Sequence, residues 1–140
     1  MLVNSRNVRI EWGDCDPAGI VYYPRYFAMF DACTAALFER ALGMTKHDYL
    51  KAYDFAGHPL VSTQSRFILP TRFGDDVRIE STITELRRSS FDLSHRLFKH
   101  GALAVEGIET RVWSAWDPDD PKTLRPKRIP DEVIEKLAGR

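Results

Sequence analysis

Two acids just ahead of a predicted helix are the groups of this chain best placed to do chemistry. Residues 11–26 read Glu-Trp-Gly-Asp-Cys-Asp-Pro-Ala-Gly-Ile-Val-Tyr-Tyr-Pro-Arg-Tyr, with Asp14 and Asp16 before a turn and Pro24 after it. The first N–H groups of a helix have no partner within it and carry partial positive charge, so they can stabilise a carbonyl oxygen that becomes negative. A carboxylate beside such a helix start is the minimal equipment for acyl transfer.

Asp16 is the stronger catalytic candidate of the two acids. The run Asp16-Pro17-Ala18-Gly19 fits a type I turn, so one interpretation is that Asp16 only caps this turn. The other is that Asp16 is a reacting carboxylate, because it lies between the end of a predicted strand and a helix too apolar to lie on the surface. Asp14 is then its structural support.

The helix start adds a backbone group to this candidate site. Tyr23 directly precedes Pro24, which suits the first position of a helix because proline has no N–H to leave unpaired. The backbone N–H of Tyr23 is therefore placed to polarise a substrate carbonyl. The alternative for Tyr23 is an ordinary apolar contact that fixes the start of the helix.

Two further polar residues are candidates for a substrate pocket. Asp31 is a lone acid within an apolar helix, and a buried carboxylate needs either a hydrogen-bond partner or a pocket to face. His58 precedes Pro59 at the start of a predicted strand and is a candidate for the lining of the same pocket, although a lone histidine is more often structural. For both residues, a structural role and a ligand contact stay open.

Basic residues near the end of a predicted strand suggest phosphate recognition. Arg87 and Arg88 are followed by Ser89 and Ser90, and arginine forks with serine hydroxyls bind phosphate oxygens well. The alternative is a solvated strand end, since exposed arginine is common. A second basic group, which either contacts a nucleotide phosphate or offsets neighbouring acids, consists of Lys122, Arg125, Lys127 and Arg128.

Several other chemistries find no support in the sequence. It contains no Gly-x-Ser-x-Gly nucleophile motif, no P-loop and no dinucleotide-binding Gly-x-Gly-x-x-Gly. The four histidines and two cysteines lack metal-ligand spacing, so we expect neither a metal nor another cofactor. Twenty basic residues balance twenty acidic ones, which argues against nucleic acid or an anionic membrane as a partner.

The elements that position these groups follow from the hydrophobic pattern. Val8, Ile10 and Trp12 alternate with polar residues and predict a strand, and the apolar run 26–42 predicts a buried helix that ends at Gly43. The other predicted elements are a short helix at 45–54, strands near 58–69, 76–87, 91–99 and 103–116, a loop at 117–130 and a helix at about 130–138. This order predicts an α+β fold, with an antiparallel sheet that curls around one long helix. The sheet edges left uncovered favour association of two subunits.

Length, cysteine content and hydropathy bear on the number of domains and on the location of the protein. The 140 residues suggest a single domain spanning 1–140. Two cysteines make no disulfide framework, and the chain shows neither a signal-peptide pattern nor a run of the roughly 18 apolar residues that a membrane span requires. We expect a cytoplasmic protein.

The run Gly-Asp-Cys-Asp-Pro-Ala-Gly-Ile-Val-Tyr-Tyr-Pro-Arg-Tyr closely resembles the 4-hydroxybenzoyl-CoA thioesterase family of hot-dog-fold proteins. The similarity extends over about residues 6–115 and includes His-Pro-Leu-Val-Ser at 58–62 and Leu-Arg-Arg-Ser-Ser-Phe at 86–91. The resemblance implies a hot-dog domain, in which a five-stranded antiparallel sheet wraps a central helix. It also implies hydrolysis of an acyl-CoA thioester, in homodimers or homotetramers with active sites at subunit interfaces.

The resemblance also assigns roles to particular residues. Asp16 matches the catalytic carboxylate, as nucleophile or as general base, and Tyr23 matches the residue whose N–H polarises the thioester carbonyl. Asp31 matches a position near the acyl pocket. The positions that match contacts to the CoA phosphates are Arg87, Arg88 and Ser90.

The acyl group stays open between an aromatic, 4-hydroxybenzoyl-like group and a short aliphatic one, and coenzyme A enters only as part of the substrate. The rival functions are a non-catalytic acyl-CoA-binding or assembly module and a hot-dog dehydratase; the latter lacks the histidine it would need between Asp14 and Arg40.

Overall fold

A computed structural model describes all 140 residues of the chain. The strands are β1 (Val3–Arg9), β2 (Leu60–Phe67), β3 (Asp76–Leu86), β4 (Ser90–Lys99), β5 (Ala102–Val112), β6 (Ser114–Trp116) and β7 (Leu124–Pro126). The helices are α1 (Pro24–Leu42), α2 (Lys46–Ala52) and α3 (Asp131–Leu137).

The five long strands form one antiparallel sheet around α1. Their order in the sheet is β1-β3-β4-β5-β2, so β1 and β2 are the two edges. Side chains from the inner face of the sheet pack against the buried stripe of α1, where Phe30, Leu37 and Phe38 are almost fully enclosed. The predicted α+β architecture, a five-stranded sheet wrapped around a long central helix, is confirmed.

The limits of α1 follow from local sequence signals. Pro24 is its first residue, and Gly43 ends it with φ of 70°, a left-handed conformation that glycine adopts without strain. The helix is less enclosed than its apolar run predicts, because a stripe that includes Ala28, Asp31 and Ala32 is exposed. The sheet covers only one side of the helix, and nothing in the chain covers this stripe. None of the helices is long and apolar enough to cross a membrane.

Three local expectations need correction. Trp12 does not continue the alternation of β1; it lies in a 3-10 turn, Trp12–Asp14, with its side chain 77% exposed. The strand predicted at 103–116 is divided, since β5 ends at Val112 and β6 begins at Ser114. The segment predicted as a loop contains β7, which pairs with β6 at a sheet edge where the missing N–H of a proline is tolerated.

Candidate active site

A small hairpin between β1 and α1 holds Asp16. Cys15 and Val21 form an isolated antiparallel bridge, and the N–H of Asp16 donates to the carbonyl oxygen of Ile20 at 2.9 Å. The N–H of Gly19 donates to the carbonyl oxygen of Asp16 at 2.9 Å, which closes the predicted turn. Gly19 has φ of 83°, a conformation that favours glycine. The backbone around Asp16 is therefore fixed on both sides.

The two oxygens of the Asp16 side chain have different surroundings. Its Oδ1 accepts a hydrogen bond from the Ala18 N–H at 2.8 Å, as a turn cap does. Its Oδ2 has no hydrogen-bond partner in the protein, and the residue lines a cleft of about 350 Å³ together with Trp12 and Phe73. One oxygen is thus structural and the other is free to react.

Asp14 is a structural residue, as predicted. Its Oδ2 accepts from the Glu11 N–H at 2.9 Å and so holds the 3-10 turn. Its carbonyl oxygen accepts from the Tyr22 N–H at 2.8 Å. This second bond anchors the chain one residue before Tyr23.

The start of α1 presents an unpaired donor. The N–H groups of Arg25 and Tyr26 already donate to the carbonyl oxygens of Tyr22 and Tyr23, at 2.8 and 3.1 Å. Pro24 has no N–H, and the N–H of Tyr23 has no partner in the protein. The positive end of the helix dipole is therefore accessible through this N–H, which is where an oxyanion would be stabilised.

An apolar cleft adjoins this donor. It has a volume of about 270 Å³ and extends from Tyr23 to the segment that follows β2. Phe67, Ile68 and Leu69 contribute exposed apolar surface to it, with exposed fractions of 52%, 48% and 40%. An apolar acyl group can therefore lie next to the Tyr23 N–H.

Asp31 has both a structural partner and an exposed carboxylate. Its Oδ1 accepts from Arg111 Nη2 at 2.9 Å, while 62% of its side chain is exposed. Arg111 is buried, with 4% of its side chain exposed; its Nη2 also donates to Glu109 at 2.5 Å, and its Nη1 donates to the carbonyl oxygen of His58 at 3.1 Å. Both of the predicted roles of Asp31 are compatible with this position.

Buried polar residues extend this contact under the helix. Glu109 accepts from the Thr34 hydroxyl at 2.8 Å and makes a very short contact with His95 Nε2, while His95 Nδ1 is 2.7 Å from the Ser81 hydroxyl. Burial alone would raise the pKa of Glu109, but hydrogen bonds and positive charge from His95 and Arg111 outweigh burial and lower the pKa to about 2. Glu109 is therefore ionised at neutral pH. The sequence pattern alone did not predict this cluster.

The His58 side chain lies in the aromatic core rather than in a pocket with Asp31. Its Nε2 is 2.9 Å from the Tyr49 hydroxyl, and its ring stacks on Phe38 with 4.9 Å between centroids. Burial lowers the pKa of His58 to about 4, with a smaller contribution from the positive charges of Lys46 and Arg111. Only its backbone carbonyl reaches the Arg111 cluster.

Of the three predicted phosphate ligands, Arg88 is the one free of internal partners. Arg87 is held by Asp92 at 2.6 Å and Glu85 at 2.9 Å, and its Nε donates to the Ser90 hydroxyl at 2.8 Å. The Arg88 side chain is exposed and has no ion-pair partner. The structure therefore leaves one guanidinium in this turn available to a ligand.

The acid and this guanidinium lie at opposite ends of the sheet within one protomer. The Ile10 N–H donates to the carbonyl oxygen of Asp75, just before β3 begins, so the Asp16 loop lies near that end. Arg88 lies two residues after the last residue of β3, and the 11 residues of β3 span roughly 35 Å at about 3.3 Å per residue. The structure does not bring Asp16 and Arg88 together in a single chain.

Two of the four residues of the second basic group are occupied by internal partners. Lys127 Nζ donates to the carbonyl oxygens of Tyr53 and Asp54, at 3.1 and 2.6 Å, and Arg128 pairs with Asp131 at 2.8 Å. Arg125 lacks an ion-pair partner and lines a separate cleft of about 410 Å³. No group of three or more histidine, cysteine, aspartate or glutamate side chains is placed to hold a metal ion.

Comparison with known proteins shows the family of the chain. Residues 10–137 match the thioesterase-like superfamily. The chain is 32% identical to 4-hydroxybenzoyl-CoA thioesterase from Pseudomonas sp. strain CBS-3, over 91% of this chain and 92% of that one. It is also 25% identical to 1,4-dihydroxy-2-naphthoyl-CoA hydrolase from Gloeothece citriformis, over 99% and 92% of the two chains.

Solved structures of similar proteins have the same fold. The Pseudomonas thioesterase superposes with a TM-score of 0.86 at 32% identity, over 96% of this chain and 98% of that one. A gentisyl-coenzyme A thioesterase superposes with a TM-score of 0.80 at 30% identity, over 96% and 99%. The curled sheet around one long helix, together with these relatives, places the chain among the hot-dog-fold thioester hydrolases. The chain belongs to the thioesterase-like superfamily, and its activity is that of an acyl-CoA thioesterase.

Proposed function

We propose that the protein hydrolyses CoA thioesters of hydroxylated aromatic acids, with Asp16 as the reacting carboxylate and the Tyr23 N–H as the donor to the thioester oxygen. The observation that carries this proposal is that the hairpin before α1 bears a carboxylate oxygen without a protein partner, at Asp16, and leads to an unpaired N–H, at Tyr23. The Asp16 hairpin leads directly into the helix, so both groups are held by one short, hydrogen-bonded segment.

Two routes are compatible with this arrangement. In the first, an Asp16 oxygen attacks the thioester carbonyl, the C–S bond breaks, CoA leaves as a thiolate, and water hydrolyses the resulting anhydride. In the second, Asp16 takes a proton from water, the hydroxide attacks the carbonyl, and the C–S bond breaks to release CoA as a thiolate and the acyl group as the free acid. Both routes place negative charge on the oxygen beside the Tyr23 N–H, and a donor of this kind is worth about 10²–10³ in rate. A thiolate leaves readily, so no side-chain acid is required.

The distance along α1 supports an aromatic acyl group. Asp31 follows Tyr23 by eight residues, or about 12 Å at 1.5 Å per residue. Hydrogen bonds of about 2.8 Å at each end leave roughly 6 Å between them, which suits one aromatic ring with a terminal hydroxyl. The free oxygen of Asp31 would accept from that hydroxyl. Three relatives are named for the CoA thioesters 4-hydroxybenzoyl-CoA, 1,4-dihydroxy-2-naphthoyl-CoA and gentisyl-CoA. All three are esters of hydroxylated aromatic acids.

The decisive experiment replaces Asp16 by asparagine. The asparagine side chain keeps an oxygen that accepts from the Ala18 N–H, so the turn survives while the reactive carboxylate is lost. We expect kcat/KM for 4-hydroxybenzoyl-CoA to fall by about 10²–10⁴-fold with Kd little changed. Asp14→Asn is the matched control, because it removes the same charge two residues away and should retain turnover.

Other outcomes would reassign the function. Turnover at the wild-type rate in Asp16→Asn would refute the assignment of Asp16 as the reacting carboxylate. Faster hydrolysis of short aliphatic esters than of benzoyl and hydroxybenzoyl esters would replace the aromatic substrate class. Tight binding of all these esters with negligible hydrolysis by the wild type would favour the non-catalytic binding module.

We also propose a homodimer formed through the free edge of β2. Every residue of β2 except Ser65 is exposed, and Leu60, Val61 and Phe67 add apolar surface to an unpaired edge. Unpaired edges with apolar side chains tend to pair with another strand. An antiparallel pairing of two β2 strands would reverse the partner, so that its Arg88 comes to the end of the sheet where Asp16 lies. A thioester at Asp16 and a CoA phosphate at the partner's Arg88 would then fit one shared site.

Mixing two impaired variants tests the shared site. Asp16→Asn chains lose turnover and Arg88→Glu chains bind acyl-CoA weakly. Refolded together, they should recover activity at low substrate concentration, because mixed dimers contain one intact site. The control is each variant refolded alone at the same concentration. No recovery in verified mixed dimers would refute a site built from both chains.

The remaining expectations concern setting and cofactors. The proposed chemistry uses a carboxylate, a backbone N–H and water, so it calls for no cofactor beyond the CoA portion of the substrate. Both cysteines, Cys15 and Cys33, are free thiols, which suits the reducing cytoplasm that we propose as the location.

A further inference from the structure

Three ionisable side chains are enclosed beneath α1, and the proposed mechanism uses none of them. His95, Glu109 and Arg111 have exposed fractions of 0%, 3% and 3%. Enclosing charged groups costs free energy even when they are paired, and apolar residues of similar size often serve a core better. Their presence therefore calls for a role besides packing.

Arg111 joins three parts of the chain at one guanidinium. It lies on β5, where it contacts its neighbour Glu109, and it donates to Asp31 on α1 and to the carbonyl oxygen of His58, just before β2. Arg111 is the only one of these groups that touches both the sheet and the exposed carboxylate of Asp31. Through it, the position of Asp31 depends on a buried cluster.

We propose that Arg111 is a positioning residue for acyl recognition. Supported by Glu109 and His95, it fixes the Asp31 carboxylate so that one oxygen faces the guanidinium and the other is left for a hydroxyl of the acyl group. This inference rests on the proposed function, because it assumes an acyl group that reaches Asp31. It adds a residue that contacts no substrate yet sets the preference between hydroxylated and plain aromatic esters.

The chemistry of the cluster suits this role. An exposed aspartate alone samples several rotamers and exchanges its hydrogen bonds with water. The Arg111 guanidinium is planar and cut off from water. Its two terminal nitrogens are committed to acceptors, Nη1 to the His58 carbonyl oxygen and Nη2 to Asp31 and Glu109, while its Nε has no partner. Ionised Glu109 holds the guanidinium from the sheet side, and His95 and the Thr34 hydroxyl hold Glu109 in turn. Asp31 is therefore oriented before a ligand arrives.

Binding measurements in an inactive background test the proposal without turnover. In Asp16→Asn protein, the Kd values of 4-hydroxybenzoyl-CoA and benzoyl-CoA are measured by calorimetry. We expect the hydroxylated ester to bind about ten- to a hundredfold more tightly, as for a hydrogen bond to a charged acceptor. Adding Asp31→Asn should reduce this ratio, and adding Arg111→Lys should reduce it about as far, because lysine keeps the charge and loses the fork. The Kd of benzoyl-CoA should stay unchanged.

Two further variants separate positioning from stability. Glu109→Gln preserves shape while removing the charge that holds Arg111, and it should also lower the ratio; it decides the outcome if Arg111→Lys does not fold. Val133→Ala opens the core near α3, away from Asp31, and should lower the melting temperature while leaving the ratio intact. A double variant of Asp31→Asn and Arg111→Lys should lose no more than either change alone.

The results distinguish this inference from the proposed function. The positioning role is overturned, and a purely structural one is left, if folded Arg111→Lys or Glu109→Gln protein keeps the Kd ratio of the Asp16→Asn parent. The same conclusion follows if Asp31→Asn leaves that ratio unchanged. Absence of hydrolysis in the wild type would instead refute the proposed function, while the Kd ratio would remain measurable and would still decide the role of Arg111.

Discussion

Replacing Gly107 by alanine tests how tightly the helix is packed on the sheet. Gly107 lies on the inner face of β5, where a Cβ would stand 2.6 Å from Phe30 Cε2 and 2.9 Å from its Cδ2, and 3.3 Å from the Ser65 hydroxyl. The first two distances are shorter than atoms tolerate. Phe30 would have to move by about 1 Å to restore a carbon–carbon contact of about 3.5–4 Å.

Phe30 has little room for that movement. It is 1% exposed, and its ring lies flat on His95 with 4.9 Å between centroids and an interplanar angle of 3°. Overpacking of this kind costs about 1–3 kcal/mol. Loss of glycine flexibility in the unfolded chain returns about 0.4–1 kcal/mol. We therefore expect Gly107→Ala to lower the free energy of unfolding by about 1–2 kcal/mol.

Chemical and thermal unfolding at fixed protomer concentration measure this change. The expected shift in Tm is about 3–8 °C downward for a chain of this size. Gly13→Ala is the matched control, because an added Cβ there meets nothing within 4 Å, and its stability should stay within about 0.5 kcal/mol of the wild type. Gly107→Ala protein as stable as the wild type would refute the argument that α1 rests directly on the Gly107 backbone.

Three further predictions concern pH, assembly and the CoA end of the substrate. The pKa of His58 is about 4 in the folded protein and about 6.5 in the unfolded chain. The free energy of unfolding is therefore highest above pH 6.5 and falls by about 3 kcal/mol as the pH drops to 4. His58→Gln should flatten this part of the pH dependence measured by urea unfolding. Val61→Lys, at a side chain 63% exposed on the β2 edge, should convert dimers to monomers in light scattering. Arg88→Ala should raise KM for acyl-CoA by about tenfold, the loss of one charge-assisted hydrogen bond to phosphate, with kcat little changed.

Each of these changes has a matched control elsewhere in the chain. His47→Gln alters an exposed histidine and should leave the fall in the free energy of unfolding between pH 6.5 and 4 unchanged. If His58→Gln also leaves it unchanged, the argument that His58 is buried in its neutral form is refuted. Val3→Lys lies on the opposite edge strand and should leave dimers intact, whereas dimers that persist in Val61→Lys would exclude the β2 edge. Arg140→Ala should leave KM unaltered, and the same result for Arg88→Ala would remove it from the CoA site.

The frame of the fold was predictable because its signals are local. Pro24 and Gly43 delimit α1, and Thr45 caps α2 through a 3.3 Å bond from the Asp48 N–H. The long strands agreed to within a few residues at most ends. Trp12 shows the limit of such reasoning, since alternation continues in the sequence after the strand itself has ended.

The buried cluster could not be assembled from sequence, although it left a signal. His95 stands between Leu93 and Leu97 on an inward-facing stripe, and Glu109 and Arg111 occupy inward positions on β5 where apolar residues are the rule. Polar residues in such places indicate a buried network. Which residues pair depends on the register between β4 and β5, and that register is a property of the folded sheet.

The free donor that opens α1 belongs to the backbone, and this shapes how the sequence can drift. Every amino acid except proline supplies that N–H, so codon 23 can change freely without losing the donor, whereas codon 16 cannot. A saturation library should find Asp16 nearly invariant and Tyr23 permissive to all but proline. Because the Tyr23 side chain also lines the apolar cleft, such drift would alter which esters fit while the reaction itself persists, and new substrate ranges would be open to this scaffold at little risk to its chemistry.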